Sequence, residues 1–179
     1  MDELFEIYDE GGNRVGLAPR AACHGNPALI HRTAHVVVFD RRGRLLLQKR
    51  SPHKDIQPGK WDTAVGGHLA PGEDYRAAAE REMREELGVG PVEPLRFLFT
   101  TKIRNAVESE EVGVFATGHD GPFQPDPQEI SELRFWTPAE VLAAVGTGQF
   151  TPNLEAEVGL LASHGLLPRP VEPDHSSSS

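Results

Sequence analysis

The sequence predicts an α+β fold, an α/β/α sandwich in which helices pack against a mixed β-sheet. Short runs rich in β-branched and aromatic residues, such as 35–39, recur between turn residues and indicate strands. A run from Asp74 to Leu87 that lacks Gly and Pro and is rich in Ala, Glu and Arg indicates a helix. At 179 residues the chain suits one well-buried domain.

The N-terminus predicts a β-hairpin. Two short apolar-polar runs, 4–8 and 14–17, flank a Gly11-Gly12-Asn13 turn, and a loop-like or briefly helical lead-in follows at 18–30. The last residues combine prolines, charges and a run of serines, a composition typical of disorder. We therefore divide the chain into a hairpin and lead-in at 1–30, a main domain at 31–167 and a disordered tail at 168–179.

The main domain alternates strand and turn signals. We expect strands at 35–39, 44–50, 61–69, 95–101, 110–116 and 130–136, with polar loops at 51–60 and 118–128. Thr137 is a good helix N-cap because Pro138 follows it and Glu140 lies three residues beyond. Another helix is expected from Thr151, with an apolar stripe at helical spacing.

The 74–87 helix carries an acidic face. Gly88 stands where a left-handed helix stop is common. Glu82, Glu85 and Glu86 are spaced i, i+3 and i+4, so three carboxylates share one face and repel one another. A divalent cation such as Mg²⁺ reverses that repulsion, since hard cations take carboxylate oxygens. A solvated face interleaved with arginines is the alternative interpretation.

The glycine-rich turn and the helix together resemble the Nudix box. The matching positions are Gly67, Glu73, Arg81, Glu82, Met83, Glu85, Glu86, Gly88 and Val89. The resemblance implies a loop-helix-loop in a Nudix fold that hydrolyses a diphosphate linked to another group, with Mg²⁺ or Mn²⁺ as cofactor. It implies that Glu82, Glu85 and Glu86 hold the metal with the Gly67 carbonyl, and that Glu73 and Arg81 brace the loop against the helix.

Other residues are candidates for the chemistry. We favour Glu85 as the general base that takes a proton from water, with Glu129 as its rival. Basic side chains near the site mouth are candidates for contact with phosphate oxygens: Lys49, Arg50 and Lys60.

More narrowly, residues from about 24 to about 150 resemble the isopentenyl-diphosphate isomerase branch of the Nudix family. His24, His31, His68, Glu108 and Glu110 fall where that branch has its metal ligands. Three imidazoles with two carboxylates suit Mn²⁺ or Zn²⁺ better than Mg²⁺, and ligation requires neutral histidine, so occupancy should fall below about pH 6.5.

One departure from the isomerase pattern bears on function. The isomerase needs a cysteine acid/base after its tryptophan, and Gly66 occupies that place here. Glycine carries no group that can move a proton, so hydrolysis is preferred to isomerisation. A prenyl-diphosphate isomerase and a non-catalytic nucleotide-binding regulator stay open as alternatives.

Bulk properties restrict the partners. The net charge of −9 argues against nucleic acid, which usually meets a basic patch. A single cysteine, Cys23, and the lack of an apolar run long enough to span a membrane favour a cytoplasmic protein with no membrane partner. The expected partner is a small diphosphate substrate, whose identity the loops do not encode, and a homodimer through the hairpin stays open.

Overall fold

The computed structural model describes residues 2–167, and the tail predicted to be disordered lies outside these residues. Within them the strands are β1 (Leu4–Tyr8), β2 (Arg14–Pro19), β3 (Ile30–Phe39), β4 (Leu45–Arg50), β5 (Trp61–Thr63), β6 (Val65–His68), β7 (Arg96–Arg104), β8 (Ser109–Gly118) and β9 (Ile130–Trp136). The helices are α1 (Arg20–Cys23), α2 (Tyr75–Leu87), α3 (Pro138–Ala144) and α4 (Pro152–Ser163).

Strand β3 is the hub of one mixed sheet. It pairs in parallel with β8 over its whole length, from Ile30 opposite Ser109 to Phe39 opposite Gly118. It pairs antiparallel with β6 and meets the hairpin at Tyr8 and β4 at Leu45. Strands β5 and β9 extend the sheet from β4, and β7 extends it from β8. The predicted α+β sandwich is confirmed.

The two faces of the sheet bury separate cores, as strand alternation requires. Val36 and Val38 of β3 pack with Ala79 and Met83 of α2 on one face. Val37 lies on the other face, where its cluster contains the predicted stripe of α4: Leu154, Val158 and Leu161. The helices therefore cover both faces of the sheet.

The helix caps follow the sequence closely. Asp74 accepts a hydrogen bond from the Ala77 N–H at 2.8 Å and begins α2, and Gly88 ends it with a φ of 70°. Thr137 and Glu140 form the expected capping box of α3. Helix α4 begins after Thr151, whose side chain accepts from the Leu154 N–H. None of the helices within residues 2–167 is both long and apolar enough to cross a bilayer.

Two sequence predictions differ from the structure. The strand expected at 61–69 is divided into β5 and β6, because the chain changes partner from β4 to β3 at Ala64. The Gln48 side chain donates to the Ala64 carbonyl at 3.0 Å and satisfies the backbone at this break. Strand β3 begins at Ile30, five residues before the expected start, because parallel pairing with β8 holds its polar first half in the sheet.

Gly88 provides a test of how α2 ends. A Cβ added there would lie 2.7 Å from the Gln124 carbonyl oxygen, whereas one added at Gly146, with a similar φ of 80°, meets nothing within 4 Å. We expect Gly146→Ala to cost about 1 kcal/mol of unfolding free energy from backbone strain alone. Gly88→Ala should cost about 1–3 kcal/mol more because Gln124 must move. Urea unfolding of both variants measures the difference, and equal losses would contradict this account.

Candidate active site and metal centre

Gly67, near the end of β6, lies against the acidic face of α2. A Cβ added at Gly67 would lie 2.0 Å from the Glu82 carboxyl carbon, so no side chain fits between the strand backbone and that carboxylate. The sequence places glycine here because the carboxylate packs directly on the main chain.

Arg81 joins the loop to the helix. Its guanidinium donates to both carboxylate oxygens of Glu73 at 2.8 Å, and to the His68 carbonyl at 2.9 Å. The remaining nitrogen, Nη1, donates to Glu82 at 2.7 Å and lies 3.3 Å from Glu85. A forked pair of this kind fixes geometry as well as charge, so the loop is held in one position over α2.

Glu86 points toward β4 and β6 and away from Arg81. It accepts hydrogen bonds from the Gly66 N–H at 3.1 Å and from the Gln48 side chain at 3.2 Å. Burial raises the pKa of Glu86 to about 8, and the charges of Glu82 and Asp62 add to the rise. Burial also raises the pKa of Glu82 despite its contact with Arg81. Glu85 is the accessible member, with 60% of its side chain exposed.

These glutamates fit a hard cation by their chemistry. All three donors are carboxylates, which Mg²⁺ prefers, and burial raises the pKa of two of them, Glu82 and Glu86. They are not gathered around one point, since Glu82 and Glu85 face Arg81 while Glu86 faces Gly66.

A second group of candidate metal ligands has its donor atoms close together. Among residues 2–167 one group of metal-binding side chains brings its donor atoms within 4.8 Å of one another, and its members are His24, His31, His68 and Glu110. The pairing of β3 with β8 brings two members of this group together, because His31 lies directly opposite Glu110. The Nε2 atoms of His24 and His68 are 3.2 Å apart, and those of His31 and His68 lie 3.3 and 3.4 Å from Glu110. Phe5 stacks on the His68 ring at 4.3 Å.

The electrostatics of this cluster favour ligation. Burial and the neighbouring His68 lower the pKa of His24 to about 4, and burial lowers the pKa of His68. Burial alone would raise the pKa of Glu110, but the imidazoles of His31 and His68 hold it well below its usual range. The His31 Nε2 atom is fully buried, and its approach to Glu110 at 3.3 Å lacks the geometry of a hydrogen bond, so it has no hydrogen-bond partner within the described chain. Two imidazoles with lowered pKa values, His24 and His68, together with an ionised carboxylate and an unsatisfied nitrogen, suit Zn²⁺ or Mn²⁺.

Glu108, the fifth predicted ligand, lies at the edge of this cluster. It precedes β8 rather than lying within a strand, and its carboxylate is 4.0 Å from His24 Nε2. Only Glu110 of this pair lies in the strand, because β8 begins at Ser109. Burial and the Glu110 charge raise the pKa of Glu108.

The candidate phosphate-binding residues and the rival base have other contacts. Arg50 donates to the Ile56 carbonyl at 3.0 Å and lies 3.4 Å from Asp62, so its guanidinium is already engaged. Lys49 lies 5.9 Å from the centre of the Trp61 ring. The Lys60 carbonyl accepts from the Arg50 N–H at 2.8 Å. Glu129 pairs with Lys54.

Sequence reasoning missed a buried ion pair beside the site. His35 Nδ1 lies 2.6 Å from Glu157 Oε2, joining β3 to α4. A histidine that opens an otherwise apolar β-branched run was the available signal for it, because a buried polar side chain needs a partner. No spacing rule connects it to Glu157, which is 122 residues away.

The mixed sheet, the glycine loop and the acidic α2 helix define a Nudix-type domain. The family model described as the NUDIX domain matches residues 29–154. The chain belongs to the Nudix family.

The relatives carry two kinds of name. An isopentenyl-diphosphate Delta-isomerase of Nocardia farcinica is 40% identical to this chain over 159 residues, covering 86% of this chain and 90% of that protein. An uncharacterised Nudix hydrolase of Yersinia pestis is 34% identical over 154 residues, covering 84% and 81%. The crystal structure of DR0079 from Deinococcus radiodurans matches with a TM-score of 0.73 and 27% identity, covering 88% of this chain and 98% of that one.

The histidine cluster predicts a transition-metal site that Co²⁺ can report by its visible absorption. We expect Co²⁺ to bind the protein, and His68→Asn to weaken binding by roughly 100-fold, the share of one ligand in a four-ligand site. His164→Asn is the matched control, because His164 is an exposed histidine stacked on Phe99.

The same titration tests the electrostatics. The lowered pKa of His24, about 4, means that its ring stays neutral where an ordinary histidine takes up a proton. Half-release of Co²⁺ should therefore occur below pH 6.5. Release at or above pH 6.5, or equal affinities for His68→Asn and its control, would contradict the site.

Proposed function

We propose that the protein is a metal-dependent hydrolase that cleaves the diphosphate linkage of a nucleoside diphosphate-X or a related small substrate. The observation that carries this proposal is the acidic face of α2 against Gly67, with Arg81 bracing the loop to Glu73. Gly66, where the isomerase branch has its cysteine, supports hydrolysis over proton shuttling at carbon.

Glu82, Glu85 and Glu86 with the Gly67 carbonyl would hold Mg²⁺ or Mn²⁺, and the histidine cluster would hold a second ion. A bound divalent ion would neutralise charge on the phosphate oxygens and would lower the pKa of a water bound to it. The chain adds little positive charge of its own here, because Arg81 is already shared among four acceptors and Arg50 is paired with Asp62.

For the general base we propose Glu85. Its carboxylate is the most accessible of the three, and its closest basic contact is Arg81 at 3.3 Å, so water can reach it. Glu129 is a weaker candidate because Lys54 occupies its carboxylate. Glu86 hydrogen-bonds to the Gly66 N–H, and this contact holds the loop in place. Lys49 and Lys60 stay candidates for contacts with outer phosphate oxygens.

The cellular setting follows from the same chemistry. We propose a small-molecule diphosphate as partner and a cytoplasmic location, where such substrates and free Mg²⁺ occur together. The hairpin exposes Leu4, Val15 and Leu17, so pairing of two copies through this surface stays a prediction.

A substrate screen tests the proposal. Cleavage of the diphosphate bond is measured by chromatography of the phosphate-containing products over nucleoside diphosphate sugars, dinucleotides, nucleoside triphosphates and prenyl diphosphates, with Mg²⁺ and Mn²⁺ in turn. We expect Glu85→Gln to lower kcat by about 100-fold or more, the usual contribution of a general base. Glu86→Gln should also lower activity because it removes a metal ligand.

Glu80→Gln is the matched control, since Glu80 lies on the same helix and its nearest basic partner is Arg84 at 4.0 Å. It should leave kcat within about twofold, as expected for a weak surface pair. Parental activity in both Glu85→Gln and Glu86→Gln would overturn the assignment of roles.

The second candidate is a prenyl-diphosphate isomerase. The gathered histidine cluster and the Nocardia farcinica relative, which carries the isomerase name, favour it. Gly66 opposes it, because the position of the family cysteine has no group that moves a proton. Incorporation of solvent deuterium into isopentenyl diphosphate would support isomerisation, and its absence would dismiss it. Tight nucleotide binding without turnover in either assay would instead indicate a regulator.

A further inference from the structure

The His35–Glu157 pair is buried in an unusual way. The contact between His35 Nδ1 and Glu157 Oε2 is 2.6 Å, with 12% and 4% of the two side chains exposed. The second carboxylate oxygen, Oε1 of Glu157, is buried without a hydrogen-bond partner in the described chain. A buried ion pair is weak evidence for stability, because desolvation offsets the attraction, and an unsatisfied oxygen adds a further cost. A role in binding is a better account of this pair than stability.

Gly66 leaves one edge of the His35 ring uncovered. The two residues are directly opposite in the β3–β6 ladder, so they share a face of the sheet. A Cβ added at Gly66 would lie 3.2 Å from both Cδ2 and Nε2 of His35. The ring edge that carries Nε2 therefore faces the space that a side chain at position 66 would fill, and Gly66 itself is partly exposed.

This uncovered edge lies beside Gly66, which neighbours both the α2 carboxylates and the histidine cluster. The Gly66 N–H donates to Glu86 at 3.1 Å, which places the α2 carboxylates beside it. His68 of the histidine cluster is two residues along the same strand, on the same face and about 7 Å away. A diphosphate that extended from either group across Gly66 would meet this edge of the His35 ring.

His35 is suited to donate to such an oxygen. Burial alone would lower its pKa, but Glu157 raises the pKa of His35 to about 9. Both ring nitrogens therefore carry protons at neutral pH. The Nδ1–H group donates a hydrogen bond to Glu157, and Nε2 makes no hydrogen bond within residues 2–167.

We propose that His35 is a substrate-binding residue whose Nε2–H donates to an oxygen of the diphosphate lying over Gly66, with Glu157 as the positioning residue that orients the ring. This inference rests on the proposed function for its substrate class. In this role His35 would supply a hydrogen-bond donor for the diphosphate at a site where Arg50 and Arg81 are already bonded to carboxylates.

The test measures binding of inorganic pyrophosphate with Mg²⁺ by titration calorimetry. His35→Asn keeps an amide nitrogen where Nδ1 donates to Glu157 but removes the Nε2 donor, so it separates binding from structure. We expect it to weaken binding by about tenfold or more, the effect of one charge-assisted hydrogen bond. Glu157→Gln keeps an acceptor and removes the charge, so it should weaken binding by a smaller factor. His164→Asn is the matched control and should bind as the parent does.

Two further measurements keep the proposal falsifiable if His35→Asn unfolds. Gly66→Ala leaves His35 in place but sets a methyl group against the ring edge, and it should weaken pyrophosphate binding comparably. In the parent protein, the ¹⁵N resonance of His35 Nε2 should shift on adding pyrophosphate. An unshifted resonance, or parental affinity in a folded His35→Asn, would overturn the proposal.

The outcomes also distinguish this inference from the proposed function. Pyrophosphate binding that depends on His35, in a protein without turnover in the substrate screen, supports His35 as a diphosphate donor while the hydrolase fails. Turnover that depends on Glu85 and Glu86 but not on His35 leaves the hydrolase standing and rejects this inference alone. A parent protein that does not bind pyrophosphate with Mg²⁺ also rejects it.

Discussion

The structure of the site depends on Arg81. Its guanidinium donates hydrogen bonds to both oxygens of Glu73, to the His68 carbonyl and to the Glu82 carboxylate. It therefore holds the loop, the helix and the end of β6 together. A lysine, with one compact charge, could not make this set of contacts, because the fork of nitrogens is what spans four acceptors. Since His68 belongs to the histidine cluster, the same cation also sets the distance between the two candidate metal sites.

Strand β3 is the second constraint. Its side chains alternate between the two faces of the sheet, so residues of the α2 core lie on one face and the candidate functional histidines on the other. Its apolar residues at 34, 36 and 38 pack with the core against α2. The opposite face presents His31 to Glu110 and His35 to Glu157. A slip of one residue in the β3–β8 register would turn His31 away from Glu110 and bury it in the α2 core. The ten-residue parallel ladder therefore specifies the metal cluster as firmly as it specifies the sheet.

The parts of this molecule that local sequence encodes were predictable. Asp74 and Gly88 bound α2 because caps act within a few residues, and the glutamate spacing follows from helix geometry. The gathering of His24 with His31 and His68 came from family resemblance, since nothing local links them. The break at Ala64 and the early start of β3 were missed because both depend on which strand pairs with which. The His35–Glu157 pair was missed for the same reason: it forms only when α4 packs onto β3.

Gly66 brings these observations to one position. Its N–H holds Glu86, its missing side chain uncovers His35, and its strand carries His68 into the cluster. A cysteine there would stand 3.2 Å from the His35 ring at its Cβ alone and close the space to a substrate oxygen. The replacement of a proton-moving side chain by glycine therefore does more than remove a group. It also opens position 66 toward the His35 ring, which suits the proposed binding of an anionic phosphate better than proton transfer at carbon.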